Sequence, residues 1–265
     1  MNQLIDSPVV SRARSRLTTA PFVARLCALG ALGALASGCI GVRQPPSEAG
    51  EGGASGPVKA STKLKTCSKT KPADDGLIDD FEDGDRQLLK VAGRDGYWWK
   101  HADDKGAKFE PDEILIEDGG PGESTKALHV SGETVGGEGA YGTLVGVNYA
   151  SSGLYDGSVY VGISFMAKVD PDSLKKVQFE VGDVNTHGDA GVCKTCWNHF
   201  NKDIVLTTEW KEYKVLFADM RQEAGWGDPR PPALNTEQLF SLDFAFAPAG
   251  KFGLWLDDLN FLVCE

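Results

Sequence analysis

Histidine and methionine are scarce in this 265-residue chain, at four and three, and base is scarcer than acid: 27 Lys and Arg stand against 38 Asp and Glu. The resulting net charge of −11 repels phosphate backbones and anionic headgroups, which excludes nucleic acid as a partner and favours a neutral ligand or a cation. No GxSxG, HExxH or phosphate-cradling glycine loop is present, so the local signatures of a serine hydrolase, a zinc protease or a nucleotide enzyme are missing. No apolar run approaches the ~20 residues of a membrane helix. Long helical periodicity and internal repeats are also lacking, which excludes a helix bundle and a solenoid.

The first 38 residues carry Arg12, Arg14, Arg16 and Arg25 against the single acid Asp6, then the short apolar run Leu26–Ala36. A basic stretch followed by a short apolar core reads as a secretory signal. Its end, Ala36-Ser37-Gly38-Cys39, resembles the lipobox of bacterial lipoproteins, with Ala36 where that motif usually has Leu. The resemblance implies cleavage before Cys39 and lipidation of that cysteine. Ile40, rather than Asp, after it points to the outer membrane. An ordinary signal peptide cut nearby is the alternative. Two or more acyl chains anchor stably where one does not. Residues 39–75 are rich in Gly, Ser, Pro and Lys, with few apolar positions, and are expected to form a disordered tether. The chain is therefore divided into a signal (1–38), a lipidated linker (39–75) and one domain (76–265). Without the signal, 23 bases face 37 acids, a net charge of −14.

Six cysteines occur. Cys27 lies in the signal and Cys39 in the lipobox, which leaves Cys67, Cys193, Cys196 and Cys264. Outside the cytoplasm these are expected to pair, in one of three ways. Cys193–Cys196 and Cys67–Cys264 are favoured, the latter because the two ends of a domain often lie close together. Cys193-x-x-Cys196-x-x-His199 also has zinc-like spacing, and CxxC can be a redox pair. A cross-linked surface loop explains the spacing more simply in an exported chain.

From Leu77 onward apolar residues recur with period 2. Val177, Phe179 and Val181 form one row, Phe240, Leu242, Phe244 and Phe246 another, and Val159 to Ala167 and Tyr213 to Phe217 two more. Gly, Pro, Asn and Asp clusters separate nine or ten such strands, the pattern of a β-sandwich. Thr236–Phe240 and Phe217–Gln222 are the two candidate helical turns.

The domain opens with LIDDFEDGD (Leu77–Asp85) and closes with LWLDDLNF (Leu254–Phe261), with SVYVGISFMAK, WKEYKVLFADM and GWG between. These segments resemble the jelly-roll carbohydrate-binding modules of family 11 and the related complex I intermediate-associated domain. The resemblance implies an all-β jelly roll of two antiparallel sheets, a structural calcium near the first and last strands, and glycan binding without catalysis. Asp80 and Glu82 share one face of the first strand; Asp257 and Asp258 end up beside apolar neighbours in the last. A lone buried carboxylate is costly unless paired or metal-bound, so these four are the expected Ca2+ ligands. Solvated strand ends are the alternative.

A sugar ring meets aromatic side chains through its C–H faces and polar side chains through its hydroxyls. The candidates in loop or short-strand settings are Trp98, Trp99, Tyr141, Trp197, His199 and Trp226, with Tyr97, Tyr149 and Asn198 beside them. Trp210 and Trp255 are expected in the core. The reading is a monomeric, non-catalytic glycan-binding domain on a lipid anchor. A small extracellular glycoside hydrolase and a structural or protein-interaction lipoprotein of the outer membrane are the alternatives.

Overall fold

The computed structural model describes residues 64–190 and 192–265. The signal, Cys39 and most of the tether lie outside them. Twelve strands occur among the described residues: β1 (Thr70–Asp79), β2 (Trp98–Ala102), β3 (Lys108–Phe109), β4 (Leu115–Asp118), β5 (Lys126–Thr134), β6 (Thr143–Asn148), β7 (Gly162–Val169), β8 (Lys176–Asp183), β9 (Phe200–Val205), β10 (Lys211–Leu216), β11 (Leu239–Phe246) and β12 (Gly250–Cys264). Among the described residues the helical content is confined to short 3-10 turns, including both expected ones, at Phe217–Asp219 and Thr236–Gln238.

All the pairings are antiparallel and they form two sheets. One runs β10-β7-β12-β5-β3, with β1 beside β12 and β4 beside β5; the other runs β2-β6-β11-β8-β9. The fold is the expected jelly-roll β-sandwich. Its core is the sum of the inward rows. Phe165, Phe179 and Phe244 meet at 5.1–5.4 Å between ring centroids, in the edge-on and offset arrangements that aromatic rings favour.

β12 is the spine of the larger sheet. Its first half, Gly250–Leu256, pairs with β5, and its second half pairs with β1 from Leu259 onward. At the handover the ladder to β7 breaks between Asp257 and Asn260, and Asp258 adopts φ 48°. This is a bulge: the extra residue relieves the ladder where the edge partner changes. The acidic pair of the last strand therefore marks a bulge.

Cys67–Cys264 ties the chain before β1 to the end of β12, with Cα atoms 5.6 Å apart. Cys193–Cys196 closes its own short loop, at 5.2 Å. Both expected pairings are present.

Three aromatic assignments are corrected. Trp98 is buried; it faces the core opposite Val147, and its indole N–H donates to Asp79 Oδ2 at 2.8 Å. Trp210 and Trp255 are only partly buried, because alternation puts them on the outer face of the larger sheet. There Trp255 stacks on His129 at 4.1 Å and donates to Asp170, while Lys168 lies over the rings of both tryptophans.

Candidate functional site

The outer face of the five-stranded sheet is built by the residues that alternate with its core rows. In β11, Leu242, Phe244 and Phe246 point inward, which turns Ser241, Asp243 and Ala245 outward. Register then aligns their neighbours. Asp243 is opposite Gly146 on one side and Glu180 on the other, Gly146 is opposite Trp99, and Glu180 is opposite Asn201. One rung across the sheet thus reads Trp99, Gly146, Asp243, Glu180, Asn201. The next carries Asn148, Ser241 and Gly182.

Two glycines shape the floor. A Cβ on Gly146 would stand 2.3 Å from Asp243 Oδ1 and 2.6 Å from Trp99 Cζ2. The missing side chain therefore lets the indole lie across the strand beside the carboxyl. The Trp99 N–H donates to Asn148 Oδ1 at 3.0 Å. Farther along, Tyr141 is exposed and stacks on His101, its hydroxyl 2.6 Å from His101 Nε2.

The opposite wall is made of two loops. The segment after β8 turns back through Thr186, whose carbonyl accepts from Trp197 N at 2.7 Å. It presents Trp197, 54% exposed, with a φ of 76°. Such a φ is strained for a bulky residue and is held by the surrounding cross-link and hydrogen bonds. Behind it, buried Asn198 donates to the carbonyls of Glu223 and Trp226 and accepts from Glu223 N, which staples the two loops together. Trp226 is also exposed, its N–H held by Glu223 Oε2 at 3.0 Å.

His199 is buried, not a surface contact: its loop runs under Trp197, and the ring enters the floor. Its Nδ1 lies 2.9 Å from Thr186 Oγ1 and its Nε2 3.9 Å from Asp243 Oδ2. Burial pushes the Asp243 carboxyl up to about 8. Burial, and then the neighbouring charges of Asp243 and Glu223, raise Glu180 to about 8. Burial holds His199 down to about 3 and His187, stacked at 3.7 Å on Phe240, down to about 4. At neutral pH the buried groups under the floor are thus uncharged, with protonated carboxyls and neutral imidazoles, and of these Glu180 alone is partly exposed.

Of the expected ligand residues, Trp99, Tyr141, Trp197 and Trp226 reach this face or its walls; Trp98 and His199 are buried. Tyr149 is buried as well, while Tyr97 is exposed. Asp243, Glu180, Asn148 and Asn201 were not foreseen. The visible signal was polar residues on the alternate positions of apolar strands, but only pairing shows that they share one rung.

The four acids expected to hold calcium divide. Glu82 Oε1 and Asp257 Oδ2 both approach Ser124 Oγ, at 2.8 and 2.7 Å, and the carbonyl of Lys126 is 3.0 Å from the same hydroxyl. One hydroxyl hydrogen serves only one of three acceptors, so the cluster is rich in oxygen and short of positive charge. It lies at the β12 bulge. Glu82 also accepts from the Thr125 hydroxyl and from the backbone N–H groups of Lys126 and Thr125, and these bonds, the Thr125 hydroxyl's first, hold it at about 2. Asp257, raised to about 7 by burial, is its inward neighbour. Asp80 and Asp258 line the adjoining depression with Glu82 and Ser124. This donor set, all oxygen with a backbone carbonyl, fits a hard cation.

No family model matches the chain, and no curated protein matches it. It is similar to solved structures of carbohydrate-binding modules. The family 11 module of the cellulosomal cellulase Lic26A-Cel5E of Clostridium thermocellum is 17% identical, covering 76% of this chain and 97% of that one, with a TM-score of 0.49. A family 11 module from the same organism, in complex with a β-1,3-1,4-mixed-linked tetrasaccharide, is 18% identical over 68% of this chain and 96% of that one, at 0.46. The family 30 module of the cellulosomal cellulase Cel9D-Cel44B of Clostridium thermocellum is 14% identical over 63% and 91%, at 0.45.

Proposed function

We propose that the domain is a non-catalytic glycan-binding module, displayed on the bacterial envelope by acyl chains on Cys39. The observation that carries this reading is the outer rung of the five-stranded sheet. With its neighbouring rung it sets the Trp99 indole, the Gly146 gap and the partly exposed Asn148, Glu180 and Asn201 between walls that expose Tyr141 on one side and Trp197 and Trp226 on the other. Exposed rings beside a hydrogen-bonding floor suit a sugar chain, whose faces are apolar and whose edges are hydroxyls. The acidic surface repels charged glycans of like sign, so the preferred ligand is neutral.

A hydrolase needs two carboxyls roughly 5–5.5 Å apart for retention, or 6.5–9.5 Å apart for inversion, one of them ionised. Glu180 and Asp243 bring oxygens within 4.8 Å, and both are held protonated by burial. Binding is the better use of this geometry. Glu82, Asp257, Ser124 and the Lys126 carbonyl would hold a calcium ion that braces the β12 bulge, supplying only positive charge to the oxygen cluster. The export and lipid-anchor part of the reading rests on the lipobox-like Ala36–Cys39.

Affinity electrophoresis of the full chain bearing Cys39→Ser through gels containing neutral polysaccharides tests the function. Retardation by at least one neutral glycan is expected. Free migration in all of them, together with no signal on a broad glycan array, overturns it; release of reducing ends would establish the hydrolase instead. Mass spectrometry of the processed N-terminus tests the anchor, which requires diacylglycerol on Cys39.

A further inference from the structure

Among the described residues, one place brings three metal-ligating side chains together: Glu180, His199 and Asp243, whose donor atoms all lie within 4.8 Å of one another. They come from β8, from the loop entering β9 and from β11, so the cluster is made by the sheet and not by a local turn. Two further observations distinguish it from an ordinary group of acids. Asp243 is 1% exposed, and its Oδ1 has no hydrogen-bond partner; a buried carboxyl oxygen left without one is costly. The backbone on both sides is also cleared of side chains. A Cβ on Gly146 would meet Asp243 Oδ1 at 2.3 Å, and a Cβ on Gly182 would meet Ser241 Oγ at 2.9 Å and His199 Cε1 at 3.0 Å.

The outer groups are also arranged as a metal site requires. Thr186 Oγ1 lies 2.9 Å from His199 Nδ1, accepts from Asp183 N at 3.0 Å and is 3.4 Å from the Asp183 carbonyl. With its own hydrogen on that carbonyl, the hydroxyl accepts from Nδ1–H. His199 Nε2 then carries its lone pair toward Asp243 Oδ2, 3.9 Å away and beyond hydrogen-bond reach. Ser241 Oγ donates to the same Oδ2 at 3.2 Å. A ligating imidazole with its other nitrogen anchored, and a ligating carboxylate oriented by a hydroxyl, is the usual support of a bound metal.

We propose that Glu180, His199 and Asp243 form a binding site for a divalent transition-type cation, of which zinc is the representative. The imidazole selects against calcium and magnesium, which take oxygen donors. Three protein ligands at about 2.0–2.2 Å leave a fourth position open, and Glu180, the partly exposed member, puts that position toward the groove. This site is separate from the oxygen cluster at the β12 bulge and does not depend on any glycan being bound.

Calorimetric titration of zinc chloride into the full chain bearing Cys39→Ser, with calcium kept in excess, tests the site. One zinc per chain is expected. Glu180→Gln and Asp243→Asn should each weaken it at least tenfold, while Glu82→Gln leaves it unchanged. Nitrogen-15 spectra of the histidine rings give a readout that does not depend on a variant folding: zinc should shift His199 Nε2 and leave its Nδ1–H in place. Absence of zinc binding, an affinity in Asp243→Asn and Glu180→Gln unchanged from that of the chain with both native residues, or a zinc-induced shift at His101, His129 or His187 in place of His199 overturns the proposal. Since no sugar enters the measurement, failure here and failure of glycan binding are read separately.

Discussion

The indole N–H of Trp98 donates to Oδ2 of Asp79 at 2.8 Å inside the core, while Asp79 Oδ1 accepts from Phe81 N at 3.0 Å. A side chain at the end of the first strand and one on the second sheet's edge strand thus satisfy each other across the sandwich. Phe81 packs on the same indole at 5.5 Å, in a left-handed backbone conformation of φ 57° that the Asp79 acceptor supports. Trp98→Phe keeps most of the buried volume and removes the donor, leaving a buried carboxylate oxygen unpaired. It should cost about 1–3 kcal/mol, read from urea unfolding, and leave any glycan affinity unchanged. A lost affinity with unchanged stability would return Trp98 to the binding surface.

Stability should fall as pH rises from about 6.5 to 8. Burial raises Asp79 to about 7, and Glu180 and Asp243 to about 8. A carboxyl raised in the folded state contributes fully below its unfolded pKa, and that contribution is lost as pH climbs toward the folded value. His187 and His199 act in the opposite sense, because burial depresses them to about 4 and 3. The unfolded chain binds their protons more readily, so they weaken the fold only as pH drops below about 6.5. Above that value the carboxyls act alone. Urea midpoints measured with chelator present should be lower at pH 8 than at pH 6.5; an equal or higher midpoint contradicts the assignment.

Truncating exposed wall aromatics should separate binding from folding. Trp197→Ala and Trp226→Ala are expected to weaken glycan retention by about 1–2 kcal/mol each and to move the unfolding free energy by less than about 0.5 kcal/mol. Unaltered retention in the double variant would remove this wall from the site.

Trp255→Ala should cost about 1–2 kcal/mol, from the lost stack on His129 and the hydrogen bond to Asp170. Phe165→Ala, in the ring cluster between the sheets, should cost about 3–5 kcal/mol. Parallel thermal and urea unfolding compares them. Equal losses would mean that the outer face of the larger sheet is as enclosed as the core.

If the oxygen cluster at the bulge holds calcium, chelation should lower the melting temperature of the native chain, and Glu82→Gln or Asp257→Asn should abolish that response. Binding to the folded state alone contributes about 2.7 kcal/mol at one hundred times Kd. An identical melting curve with and without chelator, in a sample free of calcium by elemental analysis, counts against it.

Period-2 alternation in Val177–Val181 and Phe240–Phe246 was enough to specify strands, because every second side chain of a strand points the same way whatever the strand pairs with. The acid-rich first and last strands, the two disulfides and the turn-rich separators were equally legible. What alternation leaves undetermined is which face becomes the core. Trp98 and Trp99 are neighbours in one short strand, and only the pairing of Trp98 with Val147 decided that the first is packing and the second is surface. Trp255 sits in an equally apolar stretch, yet the sandwich covers Leu254 and Leu256 and leaves its ring outside. The Asp243 cluster was least visible of all: Glu180, His199 and Asp243 are dispersed over more than sixty positions, and nothing local relates them. Strand order and register bring them together, since a contact between distant residues is set by which strands hydrogen-bond and by how many residues each is offset, quantities that exist only once the whole sheet has formed.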